Sequence, residues 1–178
     1  MKVLVRTKGT EVTDPLRDYA ENKLQSMEKY FDEETEGNVL LRVESGVHIA
    51  ELTVHFHSYY LRAEQRSEDM YLSIDKALEN LERQYLKHKD KLDRKHRARG
   101  VKKVNQDTFQ VDSEPIVEDE GIIRRKSFQL KPMTEEEAIM QMDMLGHTFF
   151  VFTNAANGNV NVIYSRNDGR YGIIESEL

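Results

Sequence analysis

Alternation of apolar and polar positions predicts several strands in the first seventy residues. Val3 and Val5 alternate with polar neighbours, which predicts a strand over Lys2–Thr7. The same alternation returns in three further segments, at residues 39–43, 52–56 and 59–66. Because side chains on a strand point alternately to opposite faces, each segment would bury one face and leave the other polar.

Two other segments repeat their apolar positions at helical spacing. The first starts after Thr13 or Asp14, either of which can cap it, with Pro15 tolerated in the first turn. Its apolar face comprises Leu16, Tyr19, Ala20, Leu24, Met27 and Phe31. A long helix from Met70 has the apolar face Ile74, Ala77, Leu78, Leu81, Tyr85 and Leu92. The order β-α-β-β-β-α predicts an α+β domain over residues 1–100, a sheet with two helices on one face.

The remaining residues divide into a linker and a second, smaller domain. Residues 101–121 lose periodicity and are rich in acidic side chains, which predicts a flexible linker. In the second domain, residues 122–178, Thr134 and Glu137 form a capping box, and Gly146 suits the end of the helix. Strands at 148–153, 161–165 and 171–174 are separated by turn signals, and the expected order is β-α-β-β-β.

The second domain presents apolar side chains on both faces of its sheet. Residues 149–152 read Phe-Phe-Val-Phe, so alternate members face opposite sides, whereas a single helix covers one side. Self-association is the simplest cover for the other side, and we expect a homodimer. The expected dimer contacts are Phe149, Val151, Val162 and Tyr164. Packing by a helix or by the first domain is the alternative.

Composition narrows the class of protein. The chain has 178 residues, of which 38% are hydrophobic and 33% charged. It has 0 cysteines, which excludes disulfides, thiolate metal sites and a cysteine nucleophile. The sequence begins with a strand pattern and not with a signal peptide, and it contains no apolar stretch of membrane-spanning length. We therefore expect a cytoplasmic protein without a membrane partner.

Positive charge is concentrated on one helix of a chain whose net charge is −6. On the long helix, cations fall opposite the apolar face, while acids such as Glu79 and Asp90 fall on a flank. We call this set the cation stripe; it comprises Lys76, Arg83, Lys87, Lys91 and Arg94. Such sorting favours a surface for a polyanion, and an ordinary solvated helix face is the alternative.

Longer motifs carry a family resemblance over nearly the whole chain. In the first domain they are EVTDPLRDY at 11–19, MEKYF at 27–31, and LRAE, DMY, IDKA and LERQ between residues 61 and 84. In the second they are RKSF at 125–128, LKPMTEEEA at 130–138, MLGHTFFVF at 144–152 and VIYSRNDGRYGII at 162–174. With these motifs the chain resembles the long-form bacterial ribosome hibernation promoting factors.

The resemblance implies a ribosome-binding function without catalysis or cofactors. The first domain would occupy the decoding region of the small ribosomal subunit and block messenger and transfer RNA. The second would homodimerise and join two ribosomes into an inactive pair. Partners would be ribosomal RNA and a second copy, with ribosomal proteins left open and DNA not expected. The implied RNA-binding residues are the cation stripe together with Lys95, Arg17, Lys23, Lys29, Arg62 and Arg66.

Several of these residues have plain structural alternatives. Lys23 falls on the apolar face of its helix, where a lysine stem commonly lies along apolar surface with its charge in water. For Arg62 and Arg66, the alternative is that they are ordinary surface charges on a strand.

Two other functions compete with the hibernation hypothesis. His55 and His57 share a strand face and resemble two metal ligands, but no zinc signature accompanies them, so we expect no metal site and no enzyme. The second competitor is a monomeric translation inhibitor whose C-terminal unit only folds back on the first domain.

Overall fold

The computed structural model describes residues 1–9, 12–31, 35–57, 59–99 and 129–176, with side chains of the long helix described as far as Leu92. The predicted linker and the start of the second domain lie outside the described residues. The two predicted domain types are both present, and each contains a four-stranded sheet.

The N-terminal domain has the predicted order of elements. Its strands are β1 (Lys2–Lys8), β2 (Glu36–Glu44), β3 (Val47–Phe56) and β4 (Tyr59–Ser67), and its helices are α1 (Asp14–Gln25) and α2 (Met70–Arg99). The sheet order is β1-β2-β3-β4, with β1 parallel to β2 and the other pairs antiparallel. Strands β1 and β4 are therefore the edges of the sheet.

The first helix ends earlier than its apolar pattern predicts. It is α-helical only to Gln25 and continues as a 3₁₀ helix over Ser26–Tyr30. At the junction the Ser26 hydroxyl donates to the Lys23 carbonyl at 2.7 Å, a local bond that competes with regular helix geometry. Met27 is nevertheless buried as expected, because the tighter turn still directs it into the core.

Strands β2 and β3 form a tight hairpin that sets the register of the sheet. Ser45 and Gly46 both have positive φ, at 51° and 79°, as a two-residue type I′ turn requires. The resulting register pairs Val39 with Leu52, and both side chains are buried beneath the helices. Alternate residues such as Glu51 consequently face the opposite side of the sheet.

The C-terminal domain repeats the same strand arrangement on a smaller scale. It contains β5 (Pro132–Met133), α3 (Glu135–Leu145), β6 (Phe149–Asn154), β7 (Val160–Ser165) and β8 (Tyr171–Glu175) in the sheet order β5-β6-β7-β8. The predicted capping box is confirmed, with Glu137 N–H donating to Thr134 and Thr134 N–H donating to Glu137. Gly146 is left-handed with φ of 66°, which confirms the predicted end of the helix.

The hydrophobic cores differ greatly in size between the domains. The N-terminal core is built from side chains of all its strands and both helices. The C-terminal domain's own fully buried cluster consists of Ala138, Met142, Phe152 and Ile163. So small a core contributes little stability by itself, and the domain is expected to gain from further contacts.

Candidate nucleic-acid interface and dimer face

Helix α2 holds the cation stripe outward because its other side is anchored in the core. Ile74, Ala77 and Leu81 are fully buried against the sheet. At the start of the helix the Asp69 carboxylate accepts from Leu72 N–H at 2.9 Å, which caps the first turn. With the helix fixed at its N-terminal end and along its apolar side, the opposite face is held toward solvent.

Four members of the cation stripe lie on the exposed side of α2, as predicted. These are Lys76, Arg83, Lys87 and Lys91. They span more than three helical turns, so at about 5.4 Å per turn they can meet consecutive phosphates of a polyanion. Arg83 contacts the side chain of Asn80, one turn earlier on the helix. The side chains of Arg94 and Lys95 lie outside the described residues.

The two lysines of the first helical segment lie beside α2 but are paired with its acids. Lys23 Nζ lies 2.8 Å from Asp75, which also accepts from the Tyr19 hydroxyl. Hydrogen bonding of Lys23 to Asp75, and next to Tyr19, raises the pKa of Lys23. Lys29 is 3.3 Å from Glu82 and lies over the Tyr30 ring. Their charge is therefore partly neutralised within the protein.

Arg17, the third basic candidate of this segment, is exposed on α1. Its position places it on the helical side of the domain, with Lys23 and Lys29. The assignment of all three to RNA binding stays a prediction.

Arg62 and Arg66 belong to a different surface from the cation stripe. Their side chains join an ion-pair network on the face of the sheet that the helices leave open. Arg62 donates to both Glu51 oxygens, at 2.8 and 2.7 Å, and also contacts Glu64. Hydrogen bonding to Glu51 raises the pKa of Arg62 despite its burial. RNA binding by these two arginines therefore stays a prediction for a second surface.

The four predicted dimer contacts form one apolar patch in the C-terminal domain. Phe149 pairs with Tyr164, and Val151 pairs with Val162, on the sheet face opposite α3. Phe149 is 61% exposed. We call this surface the outer face; dimerisation through it stays a prediction.

Two neighbours of the outer face were missed in the sequence. Ile174 pairs with Val162 and is 59% exposed, so it extends the patch onto β8. Gly172 lies under the Tyr164 ring, where an added Cβ would come within 2.4 Å of it. The strand predicted at 171–174 contained the information needed for Ile174. Side chains on a strand alternate between its two faces, so one of the consecutive Ile173 and Ile174 must face the same side as Val162.

A contact between the two domains was also missed in the sequence. Asp143 on α3 accepts from Lys87 of the cation stripe at 2.8 Å. It also accepts from the Tyr171 hydroxyl at 2.8 Å. The hydrogen bond with Asp143 raises the pKa of Lys87, although burial works against it. One cation of the stripe is thus engaged by the C-terminal domain.

The histidines proposed as the metal alternative are placed in different surroundings. His55 stacks on the Tyr60 ring with centroids 4.3 Å apart, and burial lowers its pKa. His57 lies beyond the end of β3, in the left-handed region at φ 53°. In the described ranges no group of three His, Cys, Asp or Glu side chains is arranged to hold a metal ion. None of the described helices is long and apolar enough to span a membrane.

Comparison with known families matches both domains. Residues 3–93 match the family described as "Sigma 54 modulation protein / S30EA ribosomal protein". Residues 117–173 match "Sigma 54 modulation/S30EA ribosomal protein C terminus". The two matched segments together cover most of the chain, and each contains nearly all of one sheet.

Curated relatives match the chain from end to end. The ribosome hibernation promotion factor of Bacillus subtilis (strain 168) is 44% identical over 189 aligned residues, covering 98% of both chains. That of Lactococcus lactis subsp. cremoris (strain MG1363) is 43% identical, covering 99% of this chain and 100% of its own.

The crystal structure of the Thermus thermophilus Protein Y N-terminal domain is 33% identical, with a TM-score of 0.44, and covers 47% of this chain and 94% of its own.

The fold and the matches define a two-domain protein of the S30AE class. The chain belongs to the ribosome hibernation promotion factor family, and its two domains make it one of the long-form type.

Proposed function

We propose that this protein is a ribosome hibernation factor that acts by occlusion and coupling. The N-terminal domain occupies the decoding region of the small ribosomal subunit and blocks binding of messenger and transfer RNA. The C-terminal domain homodimerises and couples two ribosomes into an inactive pair. The exposed cations of α2 carry this proposal, supported by full-length identity to proteins named ribosome hibernation promotion factors.

The cations act on the RNA backbone and not on its bases. Lys76, Arg83, Lys87 and Lys91 lie along a helix face, where they can neutralise phosphates and release counterions. If four or five contacts form, the log–log dependence of affinity on salt should have a slope of about −3 to −5. A cation row of this kind reads RNA shape and groove geometry, because phosphate contacts position a protein without specifying sequence.

The outer face supplies the coupling. Phe149 and Ile174 expose 61% and 59% of their surface, in a patch continued by Val162 and Tyr164. In a symmetric dimer the same patch serves both partners, so apolar area on one copy is covered by its equivalent on the other. Burying such side chains contributes about 1.5–3 kcal/mol each, which makes this face the natural site of association.

A monomeric translation inhibitor is a second candidate, favoured by one specific contact. Lys87 donates to Asp143, so α3 contacts the first domain, as a C-terminal unit that folds back would do. That contact uses α3, however, and the outer face lies on the other side of the same sheet. Docking and dimerisation are therefore compatible, and we favour the dimeric factor.

Sucrose-gradient sedimentation of purified ribosomes tests the proposed function. The full chain should produce a peak heavier than single ribosomes, whereas a chain ending at Arg99 should co-sediment with single ribosomes. Full-length protein that binds but leaves ribosomes single would favour the monomeric inhibitor. Failure of both chains to co-sediment would contradict ribosome binding itself.

A further inference from the structure

Helix α3 is buried on two sides, each against a different domain. Ala138 and Met142 pack against Phe152 and Ile163 of the helix's own sheet. Met140 and Met144, both almost fully buried, instead join the hydrophobic core of the N-terminal domain. A helix with apolar residues around most of its circumference is an interior helix, here shared between two domains.

The N-terminal domain receives α3 along its edge strand. The Gln141 side chain donates through Nε2 to the Tyr60 carbonyl at 2.9 Å and accepts from the Tyr60 N–H at 3.4 Å. It therefore pairs with β4 much as a neighbouring strand would. An uncovered edge invites pairing with other chains, so this contact also protects β4.

Helix α2 supplies the second half of the contact. In the orientation that satisfies both of its polar groups, the Gln84 amide donates to the carbonyls of Arg62 and Met144, at 3.0 and 3.2 Å. Lys87 donates to Asp143 at 2.8 Å. His88, whose side chain is 7% exposed, lies 3.6 Å from the same carboxylate. Gln84 and Lys87 thus form hydrogen bonds with groups of α3, which distinguishes this contact from a merely apolar one.

The docked helix lies beside the cation stripe. Lys87 belongs to the stripe and is held by Asp143, while Gln84 and His88 lie on the flank of α2 that α3 covers. Lys87 keeps 63% of its side chain exposed, but Asp143 accepts one of its hydrogen bonds, and the negative charge of this carboxylate repels an approaching phosphate. RNA and α3 therefore compete for the same edge of α2.

We propose that in the free protein the C-terminal domain docks in cis on the β4 edge and α2 through Met140, Gln141, Asp143 and Met144, and that ribosomal RNA releases it. The competition rests on the proposed function; the docking does not. A ligand that binds only the undocked state has its apparent affinity reduced by the undocked fraction. If docking occupies about 90% of molecules, it weakens ribosome binding about tenfold.

Carbodiimide cross-linking of the unmodified chain measures docking directly. The reagent activates a carboxylate, which an adjacent lysine amine attacks to form an amide, with loss of the urea. Mass spectrometry of the free chain should find the Lys87–Asp143 cross-link. The Lys23–Asp75 pair, at the same 2.8 Å, is the internal reference within one domain. Absence of the first link with the second present would overturn docking.

Isotope mixing separates cis from trans contact. In a mixture of ¹⁴N-labelled and ¹⁵N-labelled chains, the Lys87–Asp143 link should join two peptides that carry the same isotope. Mixed-isotope links as frequent as unmixed ones would overturn docking in cis. Asp143→Asn should remove this link and leave Lys23–Asp75 unchanged.

In chains that co-sediment with ribosomes, the yield of the Lys87–Asp143 link should be lower than in the free chain. Gln141→Ala with Asp143→Asn should bind ribosomes up to about tenfold more tightly than the control Asp168→Asn. The control makes the same charge change at a turn where Asp168 pairs with Arg170. Equal affinities, or an undiminished link on chains that co-sediment with ribosomes, would overturn the competition. If the chains stay in the supernatant, they do not bind ribosomes, and the proposed function is contradicted. The Lys87–Asp143 link in the free chain reports docking alone.

Discussion

Lys87 on α2 and Asp143 on α3 lie 2.8 Å apart and join the two domains of this protein. Lys87 is at the same time a member of the cation stripe that is proposed to bind RNA. The pair therefore connects the proposed RNA-binding surface with the domain proposed to couple ribosomes. RNA binding to Lys87 would therefore weaken its contact with Asp143 in the C-terminal domain, because the same lysine takes part in both interactions.

Charge reversal in the cation stripe should remove ribosome binding. In the variant Lys87→Glu with Lys91→Glu two phosphate contacts are lost, each worth about 1.5–3 kcal/mol, so affinity should fall at least 100-fold. Undocking by itself would raise affinity, so a fall reports the lost cations. The matched control is Lys2→Glu with Lys8→Glu, which makes the same charge change at exposed positions of β1. Equal losses in the two variants, measured by filter binding, would refute a specific role for α2.

Removing one apolar side chain from the outer face should weaken the dimer. Ile174→Ser deletes a side chain that is 59% exposed in the single chain and would be buried in the dimer. We expect the dimer dissociation constant to rise about 10- to 100-fold, from about 1.5–3 kcal/mol of lost burial. Ile173→Ser is the matched control, because Ile173 faces the α3 side of the same strand. Sedimentation equilibrium that shows both variants equally dimeric would place the interface elsewhere.

The ion-pair network on the open face of the sheet should make stability depend on pH. Burial tends to raise the pKa of Glu51, but hydrogen bonds and charge from Arg62, with Arg42, outweigh it and lower that pKa. The contribution is therefore fully present above the ordinary pKa of 4.5 and is lost as pH falls through the lowered value. Glu51→Gln should lower the free energy of unfolding at pH 7 by about 1–3 kcal/mol.

The same substitution should make the free energy of unfolding depend less on pH in the acid range. Urea unfolding of the original chain and of Glu51→Gln, repeated between about pH 7 and pH 3, should show the difference narrowing toward acid. A difference that stays constant over this range would mean that Glu51 contributes through packing and not through its charge.

Docking of the two domains should weaken in mild acid. Burial lowers the pKa of His88; Asp143 opposes this shift, while Lys87 and Lys91 add to it. Because the buried imidazole binds a proton less readily than an exposed one, the contribution of His88 to docking is fully present above the ordinary pKa of 6.5 and is lost as pH falls through the lowered value. Energy transfer between dyes at Leu4→Cys and Asp168→Cys, in a chain with 0 native cysteines, should decrease from pH 8 to pH 5.

His88→Gln supplies the control for that titration, since glutamine does not titrate in this range. Its energy transfer should vary less with pH than that of the original chain. An identical pH profile in both would assign the change to other groups.

Local sequence patterns predicted most of the fold because each pattern has a local physical cause. Val3 and Val5, the Thr134–Glu137 capping box and Gly146 all lie where the pattern placed them. The early end of α1 was not predicted, because the hydrogen bond from the Ser26 hydroxyl to the Lys23 carbonyl depends on a single side-chain rotamer. The cation stripe was predictable because an anchored apolar face determines where the opposite face points.

The contact between the domains was not predictable in the same way. Its partners Gln141 and Tyr60 are 81 residues apart, and no periodicity connects them. A signal was nevertheless present in α3, where Met140, Met142 and Met144 are too widely distributed around the helix for a single buried face. Methionine is well suited to such shared packing because its side chain is flexible and polarisable.

The most direct test of the account maps which face of the N-terminal domain meets ribosomal RNA. An iron chelate attached at Asp90→Cys would generate hydroxyl radicals beside Lys87 and Lys91 without removing a cation. The same chelate at Leu4→Cys would report from an exposed position on β1. We predict strong cleavage of small-subunit RNA around the decoding region from Asp90→Cys and weak cleavage from Leu4→Cys. Cleavage confined to other regions, or stronger from Leu4→Cys, would contradict occlusion of the decoding region by α2.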